Sequence, residues 1–504
     1  MTMSTPQQNV SNNHEWAALA SQLHFERDAF INGRFMTAVS GQRFATCNPA
    51  TGDVLAEVAR CTGDDVNAAV AAAVHAYREG AWSQASPQKR KQVMESLADI
   101  LESRADQFAL IETLDVGKPI RDSLSVDLPA AIRCLRWYAE AIDKVYGEVA
   151  PTAREALALI RRVPVGVVAS VVPWNFPLVM AITKLAPALA SGNSVVIKPA
   201  EQSPLSLLAF ARLTQEAGLP DGVFNVVPGY GEEAGQALGL HPDVHALSFT
   251  GSSEIGKKFL QYASLSNMKK VSLECGGKSA NIVLDDCPDI DAAAAASAAA
   301  IFFNQGEICN AGSRLILQRG IKSRFLTALL KAAEEYCPGD PLNPETRMGA
   351  LISEAHRRAV VGFVKRACDQ GAKVLIGSNF SKGDKQGAYY PPTILDNVTN
   401  GMEIAQEEVF GPVLSVLTVD TPDEAVSIAN ESQYGLAAAV WTSDLSLALK
   451  MEQRLDVGTV WINSIRTGDM SVPFGGVKSS GIGSDKSLHA FDNVTHLKST
   501  WIAI

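Results

Sequence analysis

The chain of 504 residues is too long for one ordinary hydrophobic core, so two or more domains are expected. Its composition, 47% hydrophobic and 19% charged, leaves enough of both for core and surface. A formal net charge of -10 without any basic run argues against nucleic acid as a partner.

Residues 1–13 are polar and uncharged, with neither a basic nor an apolar leader region, so no signal peptide is expected. Helical patterns fill 64–144 and are expected to complete a first domain. Residues 163–183 carry no charge over a length that could span a bilayer. Pro164, Gly166, Pro173, Asn175 and Pro177 within it argue instead for a buried strand, a sharp loop and the start of a buried helix, so no membrane partner is expected. Apolar β-rich runs at 165–172, 194–197, 224–227, 246–249 and 271–273 alternate with helical patterns such as 204–217 and 254–263. That alternation is the signature of a parallel sheet with helices on its faces. A second alternation runs from 281 to about 463 and includes an alanine-rich helix over 291–303. The apolar tail 496–504 reads as a strand in need of a partner edge. The fold class is therefore α/β, with two α/β domains. The eight cysteines form no CxxC pair and no histidine-spaced zinc pattern, so no metal is expected and reduced thiols in a cytoplasmic protein are.

Cys309 stands in Phe302-Phe303-Asn304-Gln305-Gly306-Glu307-Ile308-Cys309-Asn310-Ala311-Gly312-Ser313-Arg314, downstream of Leu273-Glu274-Cys275-Gly276-Gly277-Lys278-Ser279. Further blocks are Pro173-Trp174-Asn175-Phe176-Pro177, Lys198-Pro199-Ala200-Glu201, Phe249-Thr250-Gly251-Ser252, Glu408-Val409-Phe410-Gly411-Pro412 and Pro473-Phe474-Gly475-Gly476. Together, and in this order, they resemble the aldehyde dehydrogenase superfamily over roughly residues 30 to 500. The resemblance implies a Rossmann-like NAD-binding domain over 29–145 and 165–274, following an extension 1–28. It further implies a catalytic domain over 275–484 and a small β oligomerisation arm from 146–164 and 485–504, hence a homodimer or homotetramer.

Oxidation of an aldehyde through a covalent intermediate needs a thiolate, an oxyanion hole, a water-activating base and a site for nicotinamide. Cys309 is the thiolate; backbone donors at its helix–loop junction are expected to lower its pKa. Cys275 is the competitor, but neighbours on a strand face opposite sides, so it should point away from the site of Glu274. By resemblance Glu274 is the general base for the thioester, and since superfamily members that transfer to coenzyme A usually lack this carboxylate, the resemblance implies release of the free acid. Asn175, with the Cys309 backbone N–H, is the oxyanion donor. By resemblance Lys184 belongs to a proton relay whose acidic partner falls near Asp485.

Gly229-Tyr230-Gly231-Glu232-Glu233-Ala234 follows a strand and looks like a dinucleotide fingerprint, but alone it is weak. The resemblance places the pyrophosphate instead at the helix opened by Phe249-Thr250-Gly251-Ser252, where free N–H groups favour phosphate. Phe249, Gly251 and Ser252 are accordingly cofactor residues, with Gly229 on the adenine side. Trp174, Glu408 and Phe410 are also assigned to the cofactor, the latter two to nicotinamide and its ribose. Lys198 and Glu201 match adenosine-ribose residues; a carboxylate at 201 would repel a 2′-phosphate, which favours NAD, with NADP still admissible.

The substrate is a small-molecule aldehyde. Phe176, Thr183, Asn310, Arg466 and Phe474 are expected to line the funnel, with Thr183 and Asn310 widening it and making it more polar. The runs 137–146, 468–470 and 485–490 resemble γ-glutamyl-γ-aminobutyraldehyde and related ω-aminoaldehyde dehydrogenases, where Asp127 and Asp469 could bind a distal ammonium group. Arg466 departs from that group and would favour a carboxylate-bearing or aromatic aldehyde, such as a semialdehyde. A cysteine hydrolase would need a histidine that nothing places beside Cys309. A non-catalytic NAD-binding protein would have no need of Cys309, Glu274 and Asn175 together.

Overall fold

The protein is described as a computed structural model covering residues 13–377 and 387–504; residues 1–12 of the expected extension lie outside the described residues. In the first sheet, β1 (Val167–Val171), β2 (Ser194–Lys198), β3 (Phe224–Val226), β4 (Ala246–Gly251) and β5 (Lys270–Cys275) run parallel. Their order is β3-β2-β1-β4-β5. β1 and β2 are buried at every position, as strands covered by helices on both faces must be. The order reverses between β1 and β4. In open α/β sheets that reversal leaves a crevice beyond the strands' C-terminal ends. Two short strands, Ala29–Ile31 and Arg34–Met36, extend the β3 edge and were not expected from the sequence.

The helix after β1, α1 (Pro177–Ser191), starts on proline at its first position and ends at Gly192, whose φ of 91° a side chain would strain. After β4, α2 (Ser253–Leu265) starts at Ser252, whose hydroxyl accepts from the Ile255 N–H. The predicted helical region 64–144 contains Gly63–Glu79, Pro87–Ser103, Ala105–Val116 and Leu128–Ala141. Together with α1 it packs Leu97, Leu101, Tyr138, Leu185 and Leu189 into the largest core.

A second, seven-stranded sheet carries Ala280–Val283 and Arg314–Gln318 side by side near its centre. Its helix α3 (Ile290–Phe302), capped by Asp289, matches the alanine-rich helix predicted over 291–303. Both central strands start just after motif residues, Ala280 following Gly276–Gly277 and Arg314 following Cys309. The C-terminal ends of one sheet and the N-terminal ends of the other thus converge on one place.

The tail strand Thr495–Ala503 pairs along its whole length with Ala156–Pro164, which also pairs with Glu148–Ala150. Gly481–Ile482 pairs with β5 at the edge of the first sheet. Phe491–Val494 is a helical turn packed in the first core.

Candidate active site

A cavity of about 450 Å³ opens where the two sheets meet, within the range of small-molecule sites. Its lining brings together Trp174, Asn175 and Phe176 from the β1–α1 loop, Thr250, Gly251 and Ser252 after β4, and Glu274 from β5. Cys309, Asn310, Glu408, Phe410, Arg466, Asp469 and Phe474 come from the second half of the chain.

Cys309 follows α3 through a turn in which Asn304, Gln305 and Gly306 all have positive φ. The thiol is half-buried. Burial, followed by the Glu408 and Glu274 carboxylates, pushes its pKa up to about 12; the Asn310 and Cys309 N–H groups oppose this. The lowered pKa expected from those backbone donors is therefore outweighed, because the loop sits deeper than its sequence suggested. Asn175 is buried, and its Nδ2 donates to the Glu307 carbonyl at 2.8 Å. An amide has two N–H groups, so one remains for the cavity it lines.

Glu274 ends β5 with both carboxylate oxygens buried and without a partner. Burial, then Asp485, raises its pKa well above the usual carboxylate range, against Lys184 and Lys486. Cys275 also borders the cavity, with its Sγ 2.9 Å from where a Cβ at Gly256 of α2 would sit. Lys184, on α1, donates to both oxygens of Asp485 at 2.9 and 2.7 Å, with both side chains buried. The acidic partner expected near Asp485 is thus Asp485 itself.

On the cofactor side, Glu408 Oε1 accepts the Gly277 N–H at 3.1 Å. A Cβ at Gly276 would fall 2.0 Å from Glu408 Oε2, so the Gly-Gly pair exists to let this carboxylate approach the backbone. Burial pushes Glu408 up to about 7, with Gly277 and Lys278 opposing. Phe410 has φ 54°; its carbonyl receives His356 Nε2 at 2.7 Å and its ring meets Trp174 edge-on at 5.2 Å. His356 was not singled out by the sequence; its only signal was its position three residues past the helix cap Ser353. Thr250 Oγ1, buried beside Ser252, has no hydrogen-bond partner among the described residues. An unsatisfied hydroxyl at the open end of the 13-residue α2 fits a phosphate-bearing ligand.

The Phe249 ring is buried, packs on Phe259 at 5.0 Å and fills the space beside Gly251, outside the cavity lining. Lys198 is buried and reaches the Pro199 carbonyl at 2.8 Å and Glu201 at 3.3 Å, outside the cavity lining. Gly229 also lies outside it, against the Cys61 carbonyl. The Gly-rich turn follows β3, two strands from the reversal between β1 and β4.

The funnel differs most from expectation. Asp127 lines it, but its carboxylate is taken by Lys118 at 2.5 Å, with both side chains buried. An anion already neutralised by a fixed cation is a poor receptor for a distal ammonium group. Lys118 also sits 4.1 Å from the Phe176 ring centre, Phe176 stacks on Phe303 at 6.4 Å, and Arg466 lies 4.5 Å from the Phe303 ring centre. Arg466 is thus part of the wall, its Nη1 donating to the Ala299 carbonyl at 3.2 Å, rather than a solvated side chain at the mouth. Thr183 lines the cavity but turns its hydroxyl back to the Val179 carbonyl at 2.8 Å. Asp469 is exposed and accepts from the Ser471 N–H and hydroxyl at 2.9 and 2.6 Å. Asn310 and Phe474 line the cavity as expected.

Among the described residues, no cluster of His, Cys, Asp and Glu could hold a metal ion, and no helix is long and apolar enough to cross a membrane.

Residues 35–500 match the aldehyde dehydrogenase family. The chain is 51% identical over 489 residues to the NADP/NAD-dependent aldehyde dehydrogenase PuuC of Escherichia coli, covering 97% of this chain and 98% of that one. A γ-glutamyl-γ-aminobutyraldehyde dehydrogenase from Burkholderia cenocepacia superimposes with TM-score 0.96 at 50% identity, covering 98% of this chain and all of that one. P. syringae AldA, an indole-3-acetaldehyde dehydrogenase solved with NAD+ and IAA, does so with TM-score 0.97 at 52% identity and the same coverage. Matching over nearly the whole chain, with Cys309, Glu274 and Asn175 gathered around one cavity, this protein belongs to the aldehyde dehydrogenase family.

Proposed function

We propose that the protein oxidises an aldehyde to its carboxylic acid through a thioester on Cys309, with NAD as acceptor and NADP admissible. The observation that carries this is the convergence of Cys309, Asn175 and Glu274 on a cavity that continues to the opening of α2. NAD, when bound, accepts hydride. The chain's own residues do the rest. Cys309 Sγ adds to the carbonyl carbon once deprotonated, and the free N–H of Asn175 with the Cys309 N–H holds the oxygen that becomes negative. Glu274, poorly solvated and unpartnered, takes the proton from the water that cleaves the thioester. Lys184 and Asp485 are the route by which that proton leaves. Ser252 and Thr250 hydroxyls, with the α2 N–H groups, are suited to the pyrophosphate; Glu408, Phe410 and Trp174 to the nicotinamide side; Lys198, Glu201 and Gly229 to the adenosine side.

The substrate reading is a γ-glutamyl-γ-aminobutyraldehyde type. The Burkholderia cenocepacia relative that bears that activity in its name supports it. So does the mouth, where Asp469 and Arg133 are both exposed and line the cavity, matching an aldehyde whose far end carries an ammonium and a carboxylate together. A simple ω-aminoaldehyde offers only the ammonium. The Phe176–Phe303 stack favours a second reading, an aromatic aldehyde, for which P. syringae AldA is the parallel.

The test is NAD reduction against γ-aminobutyraldehyde, its γ-glutamyl conjugate, succinic semialdehyde, indole-3-acetaldehyde and a simple alkanal, with Cys309→Ala as control. Turnover that survives Cys309→Ala would sink the mechanism; indole-3-acetaldehyde as best substrate would replace the first substrate reading by the second. The outer edge of Thr495–Ala503 has no strand partner among the described residues and exposes Leu497, Trp501 and Ile502. It is the edge by which the protein forms a homodimer or homotetramer, and deleting residues 501–504 should shift its sedimentation to a smaller species.

A further inference from the structure

The turn between α3 and Cys309 holds Asn304 at φ 47°, Gln305 at 57° and Gly306 at 72°. Successive left-handed residues that carry side chains persist only where the surroundings over-determine them. On one side the constraint is steric: a Cβ at Gly306 would lie 2.3 Å from the Gly411 carbonyl carbon and oxygen. On the other it is Asn304. This buried amide donates at 3.2 Å to the Asn175 carbonyl and at 3.2 Å to the Glu307 carbonyl. The same Glu307 carbonyl accepts Asn175 Nδ2 at 2.8 Å. Asn304 therefore uses both its N–H groups on the frame that Asn175 uses one of its own to reach, and that frame lies two residues before Cys309.

Resting on the assignment of Asn175 as oxyanion donor, we propose that Asn304 is the positioning residue of that donor, setting where the free N–H of Asn175 points relative to Cys309. Asn304 is absent from the cavity lining and touches neither the reacting sulfur nor the space for substrate. It acts by locking the β1–α1 loop and the nucleophile loop to a single carbonyl. Gln305 and Glu307 secure the rest of that loop elsewhere, accepting the N–H groups of Gly349 at 3.0 Å and Ile352 at 2.9 Å. Loss of Asn304 should thus release the aim of Asn175 without releasing the whole loop.

Two variants separate the amide from the backbone. Asn304→Gly accepts the positive φ and removes the amide; Asn304→Asp keeps the shape and sets an acceptor against two carbonyls. Three quantities are read: kcat/KM for aldehyde oxidation, the rate of Cys309 alkylation by iodoacetamide, and the NAD dissociation constant. Alkylation builds no oxyanion, so it reports the thiol without the hole. A misplaced donor should lower kcat/KM roughly 10- to 100-fold in Asn304→Gly, and further in Asn304→Asp. Alkylation and NAD binding should stay within about twofold, and Asn304→Gly should add little to Asn175→Ala in the double variant. Unchanged turnover in both variants, alkylation falling in parallel with turnover, or full additivity with Asn175→Ala would each overturn the proposal. If Asn175→Ala alone turned over normally, the oxyanion assignment would fall first and take this proposal with it.

Discussion

The floor and the mouth of the cavity are built differently. Asn175 at the floor and Asn304, Gln305 and Glu307 beneath it are buried and bonded to backbone on three separate segments. At the mouth, Arg133, Gly468 and Asp469 are exposed, and Asp469 is bonded by its near neighbour Ser471. Preorganised donors are effective only if they do not move as charge develops. A recognition surface can vary without disturbing them. Floor substitutions should therefore change the rate for every aldehyde alike, and mouth substitutions the ranking among aldehydes.

The sharpest break is at the floor. Cys309→Ala should abolish NAD reduction, a loss of roughly 10⁴-fold or more for removal of a nucleophile. Asn175→Ala should cost about 10²–10³-fold in kcat on every substrate, corresponding to ~3 kcal/mol of transition-state stabilisation. A loss confined to one aldehyde would place Asn175 in recognition instead.

Glu274→Gln should leave a stoichiometric burst of NADH followed by a steady state slowed roughly 10²- to 10⁴-fold, since only thioester hydrolysis needs the base. The carboxyl must be ionised to act, and burial raises its pKa. Wild-type deacylation should therefore fall as pH drops through the raised value and recover above it. The burst phase should fall over a separate range set by Cys309. One shared pH profile for burst and steady state would contradict two separately buried groups.

At the mouth and wall the effects are smaller and selective. Arg466→Ala removes a wall cation and should lower kcat/KM about tenfold for a carboxylate-bearing aldehyde, by ~1.4 kcal/mol, with little change for a simple alkanal. Asp469→Asn, at an exposed carboxylate, should shift the preference between γ-aminobutyraldehyde and its γ-glutamyl conjugate by only a few fold. Equal effects on all substrates would join these residues to the floor.

The contrast also explains what the sequence showed. The parallel strands were legible because both faces are buried, which writes continuous apolar runs. α3 was legible because thirteen residues without glycine or proline, capped by Asp289, can form little else. The motif residues were legible as types. What burial does to them was not. The rise in the Cys309 pKa, the Lys118–Asp127 pair and the Arg466–Phe303 contact all depend on segments far apart in the chain. No local pattern marks Lys118 as the partner of Asp127, since residues nine apart meet only because the chain turns between two helices there. Asn304 was visible inside the motif, but its role depends on a positive φ and on the Asn175 loop more than a hundred residues upstream.

The smallest expected effect tests how far the floor extends below the reacting atoms. Glu112, fully buried behind α1, accepts the Leu178 N–H at 3.1 Å and also the Ser206 hydroxyl, which ties it to the start of the helix that follows Asn175. Its other oxygen has no partner, and burial pushes its pKa up to about 7, partly offset by Lys118. An unfolded glutamate titrates near ~4.3, so between these values the folded chain binds a proton that the unfolded chain has lost. More protons bound in the folded state means that stability falls as pH rises. The contribution is complete below the unfolded value and disappears as pH passes through the folded one. Asp115, buried and likewise pushed up to about 7, adds in the same direction. The urea midpoint should therefore be lower at pH 8 than at pH 6. Glu112→Gln, which does not titrate, should flatten that slope by on the order of 1 kcal/mol. An unchanged slope would mean that Glu112 is ionised and compensated in the fold, and that the fixed floor ends above it.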